Sequence, residues 1–152
     1  MEIPATTDRV SKHTAEEINQ EILRKIEENI AFYASCDHSR IDRRLKELDR
    51  EWDTERFLEA SSSGFALLGL TLGATVNRKW FLFPAVIAGF LLQHAIQGWC
   101  PPLAVIRRLG VRTAREIDYE RYALKAARGD FDGISGGKDQ PVEAGKALRA
   151  VM

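Results

Sequence analysis

Apolar positions along this chain follow two different patterns. Between residues 15 and 55 they stand singly at helical spacing, and between 60 and 106 they are almost continuous. Ile18, Ile22, Ile26 and Ile30 recur every four residues, which predicts a helix over residues 15–35. Thr14 followed by Glu17 is a capping-box pattern at its start. Ser39 and Asp42 repeat that signal. Ile41, Leu45, Leu48, Trp52 and Glu55 then follow a 4-3-4-3 rhythm, predicting a second helix that continues unbroken into the next segment.

Residues 60–77 are 18 consecutive uncharged positions and residues 80–106 are 27, parted only by Arg78 and Lys79. A helix that crosses a bilayer needs about 20 residues, with a range of roughly 17–25. Both runs therefore predict membrane spans, joined as a hairpin. The second run is rich in Phe and Leu; the first is diluted by Ser and Gly, which are common where membrane helices pack closely. As core helices of a soluble bundle, the two runs would need more apolar cover than the rest of a 152-residue chain supplies. Trp80 and Trp99 are 19 residues apart, which at the α-helical rise is roughly 28 Å, close to the hydrocarbon thickness of a bilayer. They are the expected interfacial anchors.

Beyond the spans, Pro101 opens a short amphipathic helix stopped by Gly110, and Thr113 with Glu116 caps another reaching about Ala127, with Gly129 as its stop. Residues 130–141 read as loop and 142–152 as a weak terminal helix. The expected fold is all-α: a two-helix transmembrane hairpin with flanking amphipathic cytoplasmic helices. Its regions are an N-terminal cytoplasmic helical region (1–52), the hairpin domain (53–118), and a cytoplasmic C-terminal helix with a flexible tail (119–152).

Charge adds orientation. The net charge of zero conceals a partition: residues 1–59 carry 15 acids and 10 bases, whereas residues 60–115 carry six bases and no acid. Arg43, Arg44, Lys46, Arg50 and Arg56 precede the spans, and Arg107, Arg108, Arg112 and Arg115 follow them. Nine basic residues against the two of the connecting loop predict that both termini are cytoplasmic. The acidic N-terminal half argues against nucleic acid as a partner. Residues 1–12 lack a basic n-region and an apolar stretch, so no secretory signal is expected and the first span serves as its own insertion signal. Cys36 and Cys100 lie far apart without a CxxC, which predicts neither a disulfide framework nor a zinc module. Cys36 and His38 are two ligands short of a tetrahedral metal site, and no cofactor is expected.

Glu55-Arg56 ahead of a glycine-containing span, Gly98-Trp99-Cys100-Pro101 closing the second span, and Leu109-Gly110-Val111-Arg112-Thr113 after it resemble the YgaP-like transmembrane domain. That bacterial domain occurs alone or fused behind a rhodanese sulfurtransferase. The resemblance covers residues 53–118 and implies a multi-pass hairpin of the bacterial inner membrane that associates into dimers; in fused members the hairpin holds the sulfurtransferase. This chain has no cysteine-centred active-site loop before the hairpin, and Pro102 is one proline more than is usual. Sulfurtransferase activity is therefore not carried over.

Three groups of side chains are candidates for function. Cys100 stands just ahead of a helix N-terminus, where thiolate is favoured, making it a candidate reactive thiol. The plainer reading is a small interfacial residue beside Trp99, with no base or resolving cysteine near in sequence. Gln93, His94 and Gln97 fall level with Ser61, Ser62 and Ser63 in an antiparallel hairpin, an intramembrane polar cluster. Hydrogen bonding between helices is favoured there over a proton path, since a histidine without a carboxylate makes a poor relay. Ser62, Ala66, Gly69 and Gly73 line one helix face and form the expected seam for self-association, or for packing on Ala85, Ala88 and Gly89 within one chain.

No phosphate loop, carboxylate pair or nucleophile triad is visible, so no enzyme activity is expected. The sequence points to a lipid-embedded anchor or scaffold that forms dimers or higher oligomers and offers cytoplasmic helices to a protein partner. The alternatives are an accessory thiol-transfer protein using Cys100 and a small transporter or channel subunit lined by His94 and Gln97.

Overall fold

The computed structural model describes residues 5–132, Ile134 and residues 144–151. All regular structure among them is helical: α1 (Arg9–Lys12), α2 (Glu16–Ala34), α3 (His38–Leu48), α4 (Thr54–Thr75), a 3-10 turn (Arg78–Phe81), α5 (Leu82–Gln97), α6 (Pro101–Arg108), α7 (Ala114–Arg128) and α8 (Ala144–Val151). Most of the loop expected over 130–141, and the start of the helix expected from 142, lie outside the described residues.

Contacts group the chain into two compact units. One comprises residues up to Leu23 together with Trp52–Arg115; the other comprises Arg24–Glu51 and the residues from Glu116 onward. The N-terminal segment therefore belongs to the same unit as the two long apolar helices.

Two aspartates start helices where the sequence suggested otherwise. Asp37, not Ser39, is the N-cap of α3, accepting from the Arg40 amide at 3.3 Å, while Ser39 donates back to Asp37. The expected continuous helix from Ile41 past Glu55 is broken after Leu48, and Asp53 restarts the chain as N-cap of α4, accepting from the Arg56 amide at 2.8 Å. An Asx cap satisfies an orphan amide that a helix interior would leave to its neighbours, so it outweighs the periodicity of Trp52 and Glu55. Nor does Thr14 serve the expected capping box: its hydroxyl donates to the Val10 carbonyl at 2.8 Å and accepts from Arg107 Nε at 3.2 Å.

In the first unit, Val10, Leu58, Cys100, Leu103 and Ile106 form a buried cluster with Val111 packed against it. Arg107 is buried in the same unit and donates to Thr14 Oγ1, Asn19 Oδ1 and the Val111 carbonyl. Thr54, fully buried at the start of α4, bonds the Arg112 carbonyl through both its amide (2.8 Å) and its hydroxyl (3.0 Å). In this way the chain ends flanking the apolar helices are stitched to α6 and the strand-free segment after it.

Helices α4 and α5 contrast sharply with that core. Helix α4, and α5 taken together with the 3-10 turn before it (Arg78–Gln97), are long and apolar enough to cross a membrane, yet only 17% and 6% of their most apolar stretches are buried. A core helix of a soluble protein is mostly buried, so these two are solvated by something other than the rest of the chain. Gly98 in the left-handed region (φ 82°) ends α5, its amide bonding the His94 carbonyl, and Gly110 (φ 81°) ends α6.

In the second unit, Ile41, Leu45 and Leu48 of α3 pack with Ile117 and Leu124 of α7, and Tyr33 covers them. Glu120, with no exposed surface, accepts from Arg44 Nε (2.7 Å), Arg44 Nη2 (3.2 Å) and Asn29 (3.4 Å). Burial is the largest influence on Arg44 and would lower its pKa, but its hydrogen bonds to Glu120 and Glu47 and the negative charge of Glu120 together outweigh it, and the guanidinium is held even more firmly in its charged form than usual.

Candidate functional site

The polar residues of the first unit converge where α1, α4 and α5 meet. Glu55 lies one residue into α4 and has two basic partners: Arg9 Nη2 at 2.9 Å on Oε1 and His94 Nε2 at 3.1 Å on Oε2. Arg9 also donates to the Ala95 carbonyl near the end of α5 at 3.2 Å. His94 is 3% exposed, and its Nδ1 makes no hydrogen bond among the described residues. The Cys100 thiol interacts with the ring, completing the series Arg9, Glu55, His94, Cys100. Backbone shape holds the series together: a methyl on Gly98 would lie 2.5 Å from the Arg9 carbonyl oxygen, so only glycine lets α1 sit this close.

Cys100 has a second neighbour. It is 2% exposed, occupies the N-cap of α6 without a side-chain cap bond, and helps line a groove of about 340 Å³. The groove walls are chiefly apolar, with Leu58, Phe65, Phe90 and Ile106 among them, and Ser61 and Ser62 also border it. The thiol thus meets an imidazole and an apolar groove. A thiol beside an imidazole that a carboxylate orients is the arrangement used to activate sulfur as a nucleophile.

This differs from the sequence reading in one important respect. His94 does have a carboxylate, brought from 39 positions away, and the Cys100 thiol meets that same histidine from the turn after α5. Along the chain Glu55 stands out only through helical periodicity and the Glu55-Arg56 pair, and Arg9 lies in a polar segment without a signal pattern.

The remaining candidates are dispersed. Gln93 and Gln97 hydrogen-bond one another along α5 at 3.5 Å. Ser62 is half-buried at the groove, while Ser61 bonds the Phe57 carbonyl within its own helix. Ala66 is half-buried. Gly69 and Gly73 are buried, but by proline and phenylalanine side chains of the same chain: an added methyl would lie 2.7 Å from Pro84 Cδ at Gly69 and 2.7 Å from the Phe81 ring at Gly73. The Gly69–Gly73 end of the expected seam is therefore covered within the chain, by Phe81, Phe83 and Pro84. Gly89 has open space around it. Trp80, edge-on to Phe83, and Trp99 are both partly exposed. Cys36 donates to the Phe32 carbonyl. The chain matches no family model, no curated protein and no solved structure.

Proposed function

We propose that the chain is an integral membrane protein of the bacterial inner membrane. In this reading α4 and α5 cross the bilayer as a hairpin, and both ends remain in the cytoplasm as a helical anchor or scaffold for a protein partner. The observation that carries this is the outward-facing apolar surface of two span-length helices, most of whose apolar stretches the chain does not bury. Lipid is the solvent that accepts such a surface, and helices satisfy their own backbone groups within it. The basic residues flanking the spans set the orientation, and Trp80 and Trp99 serve as the interfacial anchors. The likeness to the YgaP-like domain agrees with this reading. Self-association into a dimer or larger oligomer then uses the remaining lipid-facing side chains, since Gly69 and Gly73 are already covered. Alkaline carbonate extraction should leave the protein in the membrane pellet, and a reporter active only in the periplasm should stay silent when fused after Met152. Release into the supernatant rejects the spans; strong reporter activity rejects the orientation.

A second reading is supported by the Glu55, His94, Cys100 arrangement: accessory thiol chemistry at Cys100. In a Cys36→Ser background, His94→Gln should slow alkylation of Cys100 by N-ethylmaleimide on the order of 100-fold, the usual contribution of a positioned base. An unchanged rate would reduce this cluster to a structural polar contact.

A further inference from the structure

The second unit contains a cavity of about 390 Å³ between α3, α7 and α8 whose charges are unevenly matched. Its carboxylates are Asp42, Asp49 and Asp130. Arg128 is ion-paired with both Asp42 and Asp130, and its Nε lies 2.7 Å from Asp130. The hydrogen bond from Arg128 holds the Asp130 carboxyl below its usual range. Arg121 takes Asp49 at 3.3 Å and also Asp118. The acids are thus held by two arginines.

Lys46, Lys125 and Arg149 complete the wall. Among the described residues, no carboxylate lies within ion-pair distance of any of the three. Lys125 is the informative one. It is 7% exposed, and the partner it reaches is the Ala150 carbonyl in the last turn of α8, at 3.4 Å. An ammonium so far removed from water is costly unless it is paired, and one long bond to a neutral carbonyl is weak compensation. With Asp118, the second partner of Arg121, counted beside the wall, five cations face four carboxylates, an excess of one positive charge, and Lys46, Lys125 and Arg149 are the three cations outside the ion pairs.

The geometry points to a binding site for a small molecule bearing a phosphate monoester, a group that carries about −1.5 to −2 charge at neutral pH. Lys125 would supply the buried contact, with Lys46 and Arg149 closing on the remaining oxygens. Leu45 gives the wall an apolar patch for the rest of the ligand. Phosphate is favoured over a carboxylate because three separate cationic heads match three terminal oxygens.

Inorganic phosphate is the probe. It would be titrated calorimetrically into the full chain in nanodiscs of neutral lipid, with chloride replaced at constant ionic strength. Saturable binding is expected, and Lys125→Met and Arg149→Gln should each weaken it by about tenfold or more, as loss of one charge-assisted bond implies. Lys125→Met should also melt at a higher temperature than the wild type when phosphate is absent, because it removes a buried charge held only by one long bond and a longer-range attraction to Asp130. A lysine that merely capped α8 would behave in the opposite way. Arg24→Gln, at an exposed position outside the cavity, should leave binding unchanged. Absence of saturable binding, or equal affinity in Lys125→Met and Arg149→Gln, overturns the site. Repeating the titration in nanodiscs containing phosphatidic acid distinguishes the sources: competition indicates a lipid headgroup, and its absence a free phosphate ester.

Discussion

Glu120→Leu should destabilise the second unit by about 3 kcal/mol, near the lower end for breaking a buried ion pair because Arg44 keeps a second carboxylate. That second partner is Glu47, 3.2 Å from Arg44 Nη1. Glu120 is completely buried between α3 and α7, and removing it leaves a guanidinium that is itself only 17% exposed without its principal counter-charge. Hydrogen exchange of the full chain should report the loss as a rise of about a hundredfold in the amides of α3 and α7. The partner substitution provides the control. Arg44→Met combined with Glu120→Leu replaces both charges with apolar groups, and most of the lost protection should return. If the double variant is no better than the single one, the cost lies in cavity formation and not in the stranded charge.

Gly98→Ala should release the N-terminal segment from the first unit. An L-residue at φ 82° costs about 1–2 kcal/mol from backbone sterics. Here the new methyl also meets the Arg9 carbonyl oxygen at 2.5 Å, a backbone atom that cannot rotate away. Relief requires α1 to move, taking Arg9 from Glu55 and exposing the bonds at Arg9 and Lys12 to trypsin. Gly110→Ala is the matched control: its φ is 81°, but nothing lies within 4 Å of the added carbon. It should bear the backbone strain alone and leave trypsin cleavage at Arg9 and Lys12 unchanged. Equal cleavage in the two variants would mean that Gly98 acts through its dihedral only and that α1 is not docked as described.

Some helix boundaries of this fold are encoded by single residues. Gly110 and Gly129 mark helix ends from sequence alone, because a left-handed residue after the last turn is a local requirement that glycine meets most easily, and Gly98 meets the same requirement at the end of α5. Pro101 at the first turn of α6 is legible for a similar reason: its missing amide is one the helix would leave unpaired anyway. Even local signals compete, however. Asp37 and Asp53 capped helices that periodicity had assigned to Ser39 or to an unbroken run, since cap and stripe make different demands on overlapping residues.

The helical character of the chain and the position of the two long apolar stretches are local, because both follow from runs of neighbouring residues. The set of partners comes from the packing of distant segments. His94 looked isolated because Glu55 is 39 positions away, and Arg9 reaches Ala95 across 86. Gly69 and Gly73 advertised a small-residue seam, but whether it is filled by another chain or by Phe81, Phe83 and Pro84 depends on how α4 meets α5. Lys125 and Glu120 are both charged residues on one helix, one left with a carbonyl and the other held by Arg44, and nothing in their local sequence distinguishes them. Periodicity and capping are short-range properties of the backbone, whereas burial and charge pairing are settled only when segments far apart in sequence are brought together.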